Sequence, residues 1–93
     1  MVYIVAYDLK SPNDRESDYQ RVIGAIKQLD NHWCHIEKSV WLITSEDSAS
    51  EIRDELKKSL YPADVLFVAK MSGGWASVNL GTKRADWIKS KVF

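Results

Sequence analysis

The sequence predicts an α+β fold: an antiparallel sheet carrying two helices on one face. Three observations predict it. Short runs rich in β-branched and aromatic residues recur at 2–8, 33–44 and 64–70. Between them, residues 17–29 and 49–60 repeat apolar side chains at helical spacing. Each of those stretches opens on a capping-box pattern. The chain has 93 residues, enough for one domain and not two, and its 45% hydrophobic content with ten aromatics can build a core.

Taken in order, residues 2–8 ("VYIVAYD") are apolar on both faces, which suits a central strand. Pro12 and Asn13 mark the loop that follows. The helix over 17–29 is capped by Ser17 with Gln20, and Tyr19, Val22, Ile23, Ile26 and Leu29 share one face. Gly24 either weakens this helix or admits a close neighbour. "DNH" is a turn, and "WCHIEKSVWLIT" gives two short strands or one kinked strand, with "EKS" as the connection. Ser48 and Glu51 cap the helix over 49–60, whose Ile52, Leu56 and Leu60 face the core. Residues 64–70 are the next strand, Trp75 to Leu80 a short final strand, and Thr82 caps a terminal helix carrying Trp87 and Ile88. The order β-α-β-β-α-β, with a short C-terminal strand and helix, is that of a ferredoxin-like sandwich spanning 1–93 as a single domain.

Formal net charge is zero, which argues against a strongly basic nucleic-acid binder but leaves uneven distribution open. From Lys83 onward there are four basic residues (Lys83, Arg84, Lys89, Lys91) and one acid, Asp86. This stretch is a candidate phosphate contact through Lys83 and Arg84; the alternative is a solvated amphipathic helix. The single cysteine, Cys34, excludes an internal disulfide and a cysteine-based zinc site. With no signal-peptide pattern and no apolar run long enough to span a membrane, the expectation is a soluble cytoplasmic protein without membrane contact.

Asp8 closes the most hydrophobic strand. At a sheet rim it can cap a turn by accepting N–H bonds, or ligate a divalent cation such as Mg²⁺. One aspartate is a poor metal site, and two brought together at a dimer axis make a better one. His32, Cys34 and His35 do not converge if they lie on a strand, because His35 takes the opposite face. "MSGGWAS" lacks the strand–loop–helix setting of a phosphate cradle. Trp33, Trp41, Trp75 and Trp87 are candidate base-stacking rings, and Tyr3, Tyr7 and Trp41 candidate aromatics on an open sheet face. The competing reading of that face is a hydrophobic dimer interface.

"YIVAYDL" and "IEKSVWLI" resemble segments of the CRISPR-associated adaptation endonucleases. Closer still, "YDLK", "HWCHIEKSVWLI", "SASEIRDEL" and "GTKRADWIK" resemble a group of small proteins often labelled SinR-like, over nearly the whole chain. Glu37 stands where the endonucleases carry Gln. The resemblance implies a ferredoxin-like homodimer in which Asp8 of each copy faces the other and holds Mg²⁺ or Mn²⁺, acting as a nuclease on DNA or RNA. Ser11, Arg15 and Ser39 are then the next candidates, for positioning. The alternative is a non-catalytic module that binds nucleic acid or a protein partner in a defence, phage or plasmid system.

Overall fold

A computed structural model describes residues 1–10, 15–29 and 32–92, Arg15 by its backbone alone. The elements are β1 (Val2–Asp8), α1 (Arg15–Leu29), β2 (Trp33–Glu37), β3 (Val40–Thr44), α2 (Ala49–Lys57), β4 (Val65–Met71) and α3 (Thr82–Lys91). Four strands form one sheet in the order β2-β3-β1-β4, and every neighbouring pair is antiparallel. β1 is central, with Val5 opposite Trp41 of β3 on one side and Val68 of β4 on the other. α1 joins β1 to β2, passing over the place β3 fills. α2 joins β3 to β4, passing over β1.

Alternation along β1 explains its doubly apolar sequence. Tyr3, Val5 and Tyr7 point to one face, where they pack with Trp41 and Ile43 against Val22 and Ile26 of α1 and Ile52 and Leu56 of α2. Val2 points to the other face and joins Cys34, Leu42, Ile88 of α3 and Val92. The sheet is therefore clothed on both sides, by two helices on one and by α3 on part of the other. α3 does not reach the end of the sheet where β1 finishes and β4 begins. There Phe67 is 61% exposed and Val65 51%.

Local chemistry sets most of the boundaries. The Ser48 hydroxyl accepts the Glu51 N–H at 3.1 Å, and the Glu51 carboxylate accepts the Ser48 N–H at 3.1 Å. Such a cap is worth about 1 kcal/mol. α2 stops at Lys57, short of the predicted end at 60, yet Leu60 still packs on the core from the following turn. α1 begins at Arg15, so Ser17 lies within the first turn and not at the cap.

Two expectations are corrected. Residues 75–80 form no strand. Left-handed backbone at Gly73, Gly74 and Asn79 (φ 53°, 49° and 59°) bends the chain before and within the segment, and Trp75 and Leu80 pack against the sheet. Thr82 is not the cap of α3 either: Gly81 holds that position and offers no side-chain bond. Among the described residues no helix is long and apolar enough to cross a membrane.

Candidate functional site

Asp8 is the last residue of β1, opposite Val65. By alternation it shares a face with Ala6, the uncovered part of the face that α3 otherwise occupies. Its side chain is 60% exposed, and the Lys10 ammonium lies 2.6 Å from Oδ2. An exposed pair of this kind contributes little to stability, but it neutralises the carboxylate locally.

The turn-capping role falls to a residue the sequence reading passed over. Asp64 accepts the Lys10 N–H on Oδ1 at 2.7 Å and the Tyr61 N–H on Oδ2 at 2.9 Å. It thereby ties the end of β1 to the turn leading into β4. "YPAD" carried the signal: a proline followed by an aspartate placed to fold back on the backbone.

Ser39 stands at the same rim as Asp8. Its carbonyl accepts the Tyr7 N–H at 3.1 Å, from the residue just before Asp8. A second tie reinforces the first. The Trp41 indole N–H donates to the Tyr7 hydroxyl at 3.1 Å, and that hydroxyl donates to the Lys38 carbonyl at 3.3 Å. Burial pushes the Tyr7 phenol above its ordinary pKa; the Trp41 N–H opposes the shift and Tyr19 adds to it. Tyr7 is thus a neutral strut for the β2–β3 turn and no acid–base group at neutral pH.

Lys83 and Arg84 lie elsewhere. They occupy the first turn of α3 and line a hollow of about 230 Å³ with Trp33, Cys34, His35 and Trp87. Trp33 and His35 pair with Ile43 and Trp41, which are opposite Tyr3 and Val5. Asp8 is three residues beyond Val5, about 10 Å along the strand and two strands across. The sequence-predicted residues therefore divide between two places: Asp8 with Ser39, and Lys83 with Arg84. Ser11 and the side chain of Arg15 lie outside the described residues.

The aromatic candidates are also redistributed. Tyr3, Tyr7 and Trp41 are buried on the helix-covered face, so they are not aromatics of an open sheet. Cys34 and His35 take opposite faces, as alternation required: Cys34 is buried toward α3, while His35 stacks on Trp41 at 3.9 Å between ring centres.

The fit of a divalent cation can be judged from these contacts. Among the described residues this rim offers one accessible carboxylate not committed to the backbone, Asp8, already beside an ammonium. Asp64 is committed to two backbone N–H groups. Among the described residues no three His, Cys, Asp or Glu side chains gather. Among the described residues a single copy offers too few carboxylates here for a Mg²⁺ or Mn²⁺ site, and a second copy would add another. No protein-family model matches the chain, so the site is read from its own residues.

Proposed function

We propose that this is a ferredoxin-like homodimer related to the CRISPR adaptation endonucleases and the SinR-like proteins, acting on DNA or RNA. The strand order β2-β3-β1-β4 with two crossing helices supports the fold. One observation carries the functional reading: Asp8 ends the central strand at the border of the uncovered apolar end of the sheet, beside Val65 and near Phe67. β4 is an edge strand with outward backbone groups, open to pairing with another chain. A second copy docked there buries the two exposed side chains and draws two Asp8 carboxylates together. A divalent cation between them would act as a Lewis acid on a phosphodiester. Ser39 then positions the strand, and Lys10 is displaced from Asp8 towards phosphate. A reducing cytoplasm suits the free thiol of Cys34.

The Lys10–Asp8 pair favours the second reading, a non-catalytic module that uses the same dimer to hold nucleic acid or a protein. A cleavage assay separates the two. Wild type and Asp8→Asn, matched for folding and oligomeric state, are incubated with single- and double-stranded DNA and RNA in Mg²⁺, Mn²⁺ or EDTA. The nuclease reading expects metal-dependent cutting that falls at least a hundredfold in Asp8→Asn, the scale of losing a metal ligand or its support. Equal cutting by both proteins, or none by either, removes it and leaves the binding module.

A further inference from the structure

We propose that the outer edge of β4, along the flank of α2, is a docking groove for an extended peptide segment of another protein. The segment carries an apolar residue and, two positions away, a carboxylate. This goes beyond the dimer reading, which uses Val65 and Phe67 on the α3 side of the same strand, and it needs no metal.

The hydrogen-bond ladder fixes which peptide groups are open. The Tyr7 N–H donates to the Ser39 carbonyl at 3.1 Å, next along the strands from the Ala6–Val40 pair. Alternation then gives the peptide groups of Tyr3, Val5 and Tyr7 to β3, and those of Ile4, Ala6 and Asp8 to β4. Their partners in β4 are Ala69, Phe67 and Val65. Leu66, Val68 and Lys70 are left with N–H and C=O turned away from β1, and among the described residues no strand lies beyond β4.

Two hollows follow that edge. One of about 240 Å³ lies between Ala49, Ser50 and Arg53 of α2 and Leu66 to Val68 of β4. The other, of about 700 Å³, runs past Arg53, Lys57, Leu60 and Tyr61 to the turn before β4. Arg53 and Leu66 line both, so the two make one groove. Leu66 and Val68 turn their half-buried side chains to the helix side, against the core. The groove therefore has apolar side chains at its base, open peptide groups along one side and a helix along the other. Strand addition uses this combination: main-chain bonds hold the guest, and its alternate side chains enter the pockets.

Charge selects the guest. Arg53 and Lys57 stand one turn apart on α2, and both are exposed. Of the acids lining the groove, Asp54 lies 2.9 Å from the Arg53 guanidinium, and Asp64 accepts the Lys10 and Tyr61 N–H groups. Lys57 forms no ion pair among the described residues. A guest residue beside Val68 enters the smaller hollow, and the one two positions on, about 7 Å away, sits beside Leu66 in the half that Arg53 and Lys57 line. Valine suits the first place. A glutamate suits the second, where it accepts charge-assisted hydrogen bonds from Lys57 or Arg53. The β4 strand of a second copy is a poorer guest, because Lys70 is its one charged residue and it brings no carboxylate to these cations.

The test is amide hydrogen exchange on ¹⁵N-labelled protein, with and without a blocked peptide of about seven residues, in which valine, valine and glutamate alternate with threonine. The Leu66, Val68 and Lys70 amides should exchange fast in the free protein and at least tenfold more slowly with saturating peptide. A peptide with lysine in place of glutamate should bind at least about threefold more weakly. The double variant R53E/K57E, altered only at exposed positions and matched for folding by circular dichroism, should reverse that preference. No slowing at the three amides, or the same preference in wild type and R53E/K57E, would overturn the proposal. So would protection of the three amides that grows with protein concentration in the absence of peptide, which would make a second copy the occupant. Light scattering on the same samples separates the readings: a monomer that binds the peptide loses the dimer and keeps the groove.

Discussion

At the scale of single residues, Tyr7 is the pivot between core and rim. It is buried among α1, α2 and β3, yet its hydroxyl bridges Trp41 to the carbonyl of Lys38. Tyr7→Phe leaves the indole N–H without its acceptor, which should cost about 1–3 kcal/mol in urea unfolding at neutral pH. The pH dependence has a definite sign. Tyr7 and Cys34 are acids whose folded pKa values lie above their ordinary 10.0 and 9.0, in both cases chiefly through burial. The stability they lend is complete below those ordinary values and is lost as pH rises through the folded ones. Unfolding midpoints should therefore hold steady through neutral pH and fall in the alkaline range, less steeply in Tyr7→Phe. A parallel fall in the variant would deny Tyr7 its part. The sequence showed that Tyr3, Val5 and Tyr7 share a face. It did not show which face the helices cover, because Val2, Ile4 and Ala6 on the other side are apolar too.

At the scale of elements, two glycines answer differently to the same substitution. Gly24 lies inside α1, and a Cβ built there meets nothing within 4 Å. The close neighbour that the sequence left open is absent among the described residues. Gly24→Ala should stabilise by about 0.5–1 kcal/mol, since only the backbone entropy of glycine is lost. Gly81 also has open space, but its φ is 93°, where a side chain is strained. Gly81→Ala should destabilise by about 1–2 kcal/mol. Thermal unfolding of the two variants should shift in opposite directions, and a shift of the same sign would contradict the structure. The capping box of α2 was legible because Ser48 and Glu51 satisfy each other locally. The end of α1 was less so, since Ser17 and Gln20 fit the same pattern while the helix starts two residues earlier. The segment 75–80 misled because its Trp75 and Leu80 are half-buried by tertiary packing, which gives apolar spacing without a ladder.

At the scale of the molecule, the sheet is covered unevenly. α1 and α2 close one face, α3 closes half of the other, and the remaining half presents Val65 and Phe67 beside Asp8. Phe67→Asp places a charge in the proposed contact without touching the core. Light scattering should report a dimer for wild type and a monomer for this variant, with unchanged helical circular dichroism. A wild-type monomer across the micromolar range would remove the dimer and, with it, the shared carboxylate site. Asp8 at the rim was visible in the sequence, because a charge after seven mostly apolar residues has to lie at an end. The hollow beside β2 was not, since it joins residues about fifty apart in the chain, Trp33 to His35 with Lys83 to Trp87. Nothing in the spacing of α3 announces that it docks there; Ile88 is its buried contact with the sheet, joined by Val92 just after its end.

The position of Cys34 has a consequence for kinetics. The thiol is the only one in the chain, and it lies buried beneath α3 in the cluster with Ile88 and Val92. A maleimide can reach it when α3 lifts away, so the alkylation rate becomes a clock for that one helix. Ile88→Ala should quicken the clock by about tenfold or more, in step with the weakened packing. One thiol thus converts the docking of the terminal helix into a rate, readable without unfolding the rest of the protein.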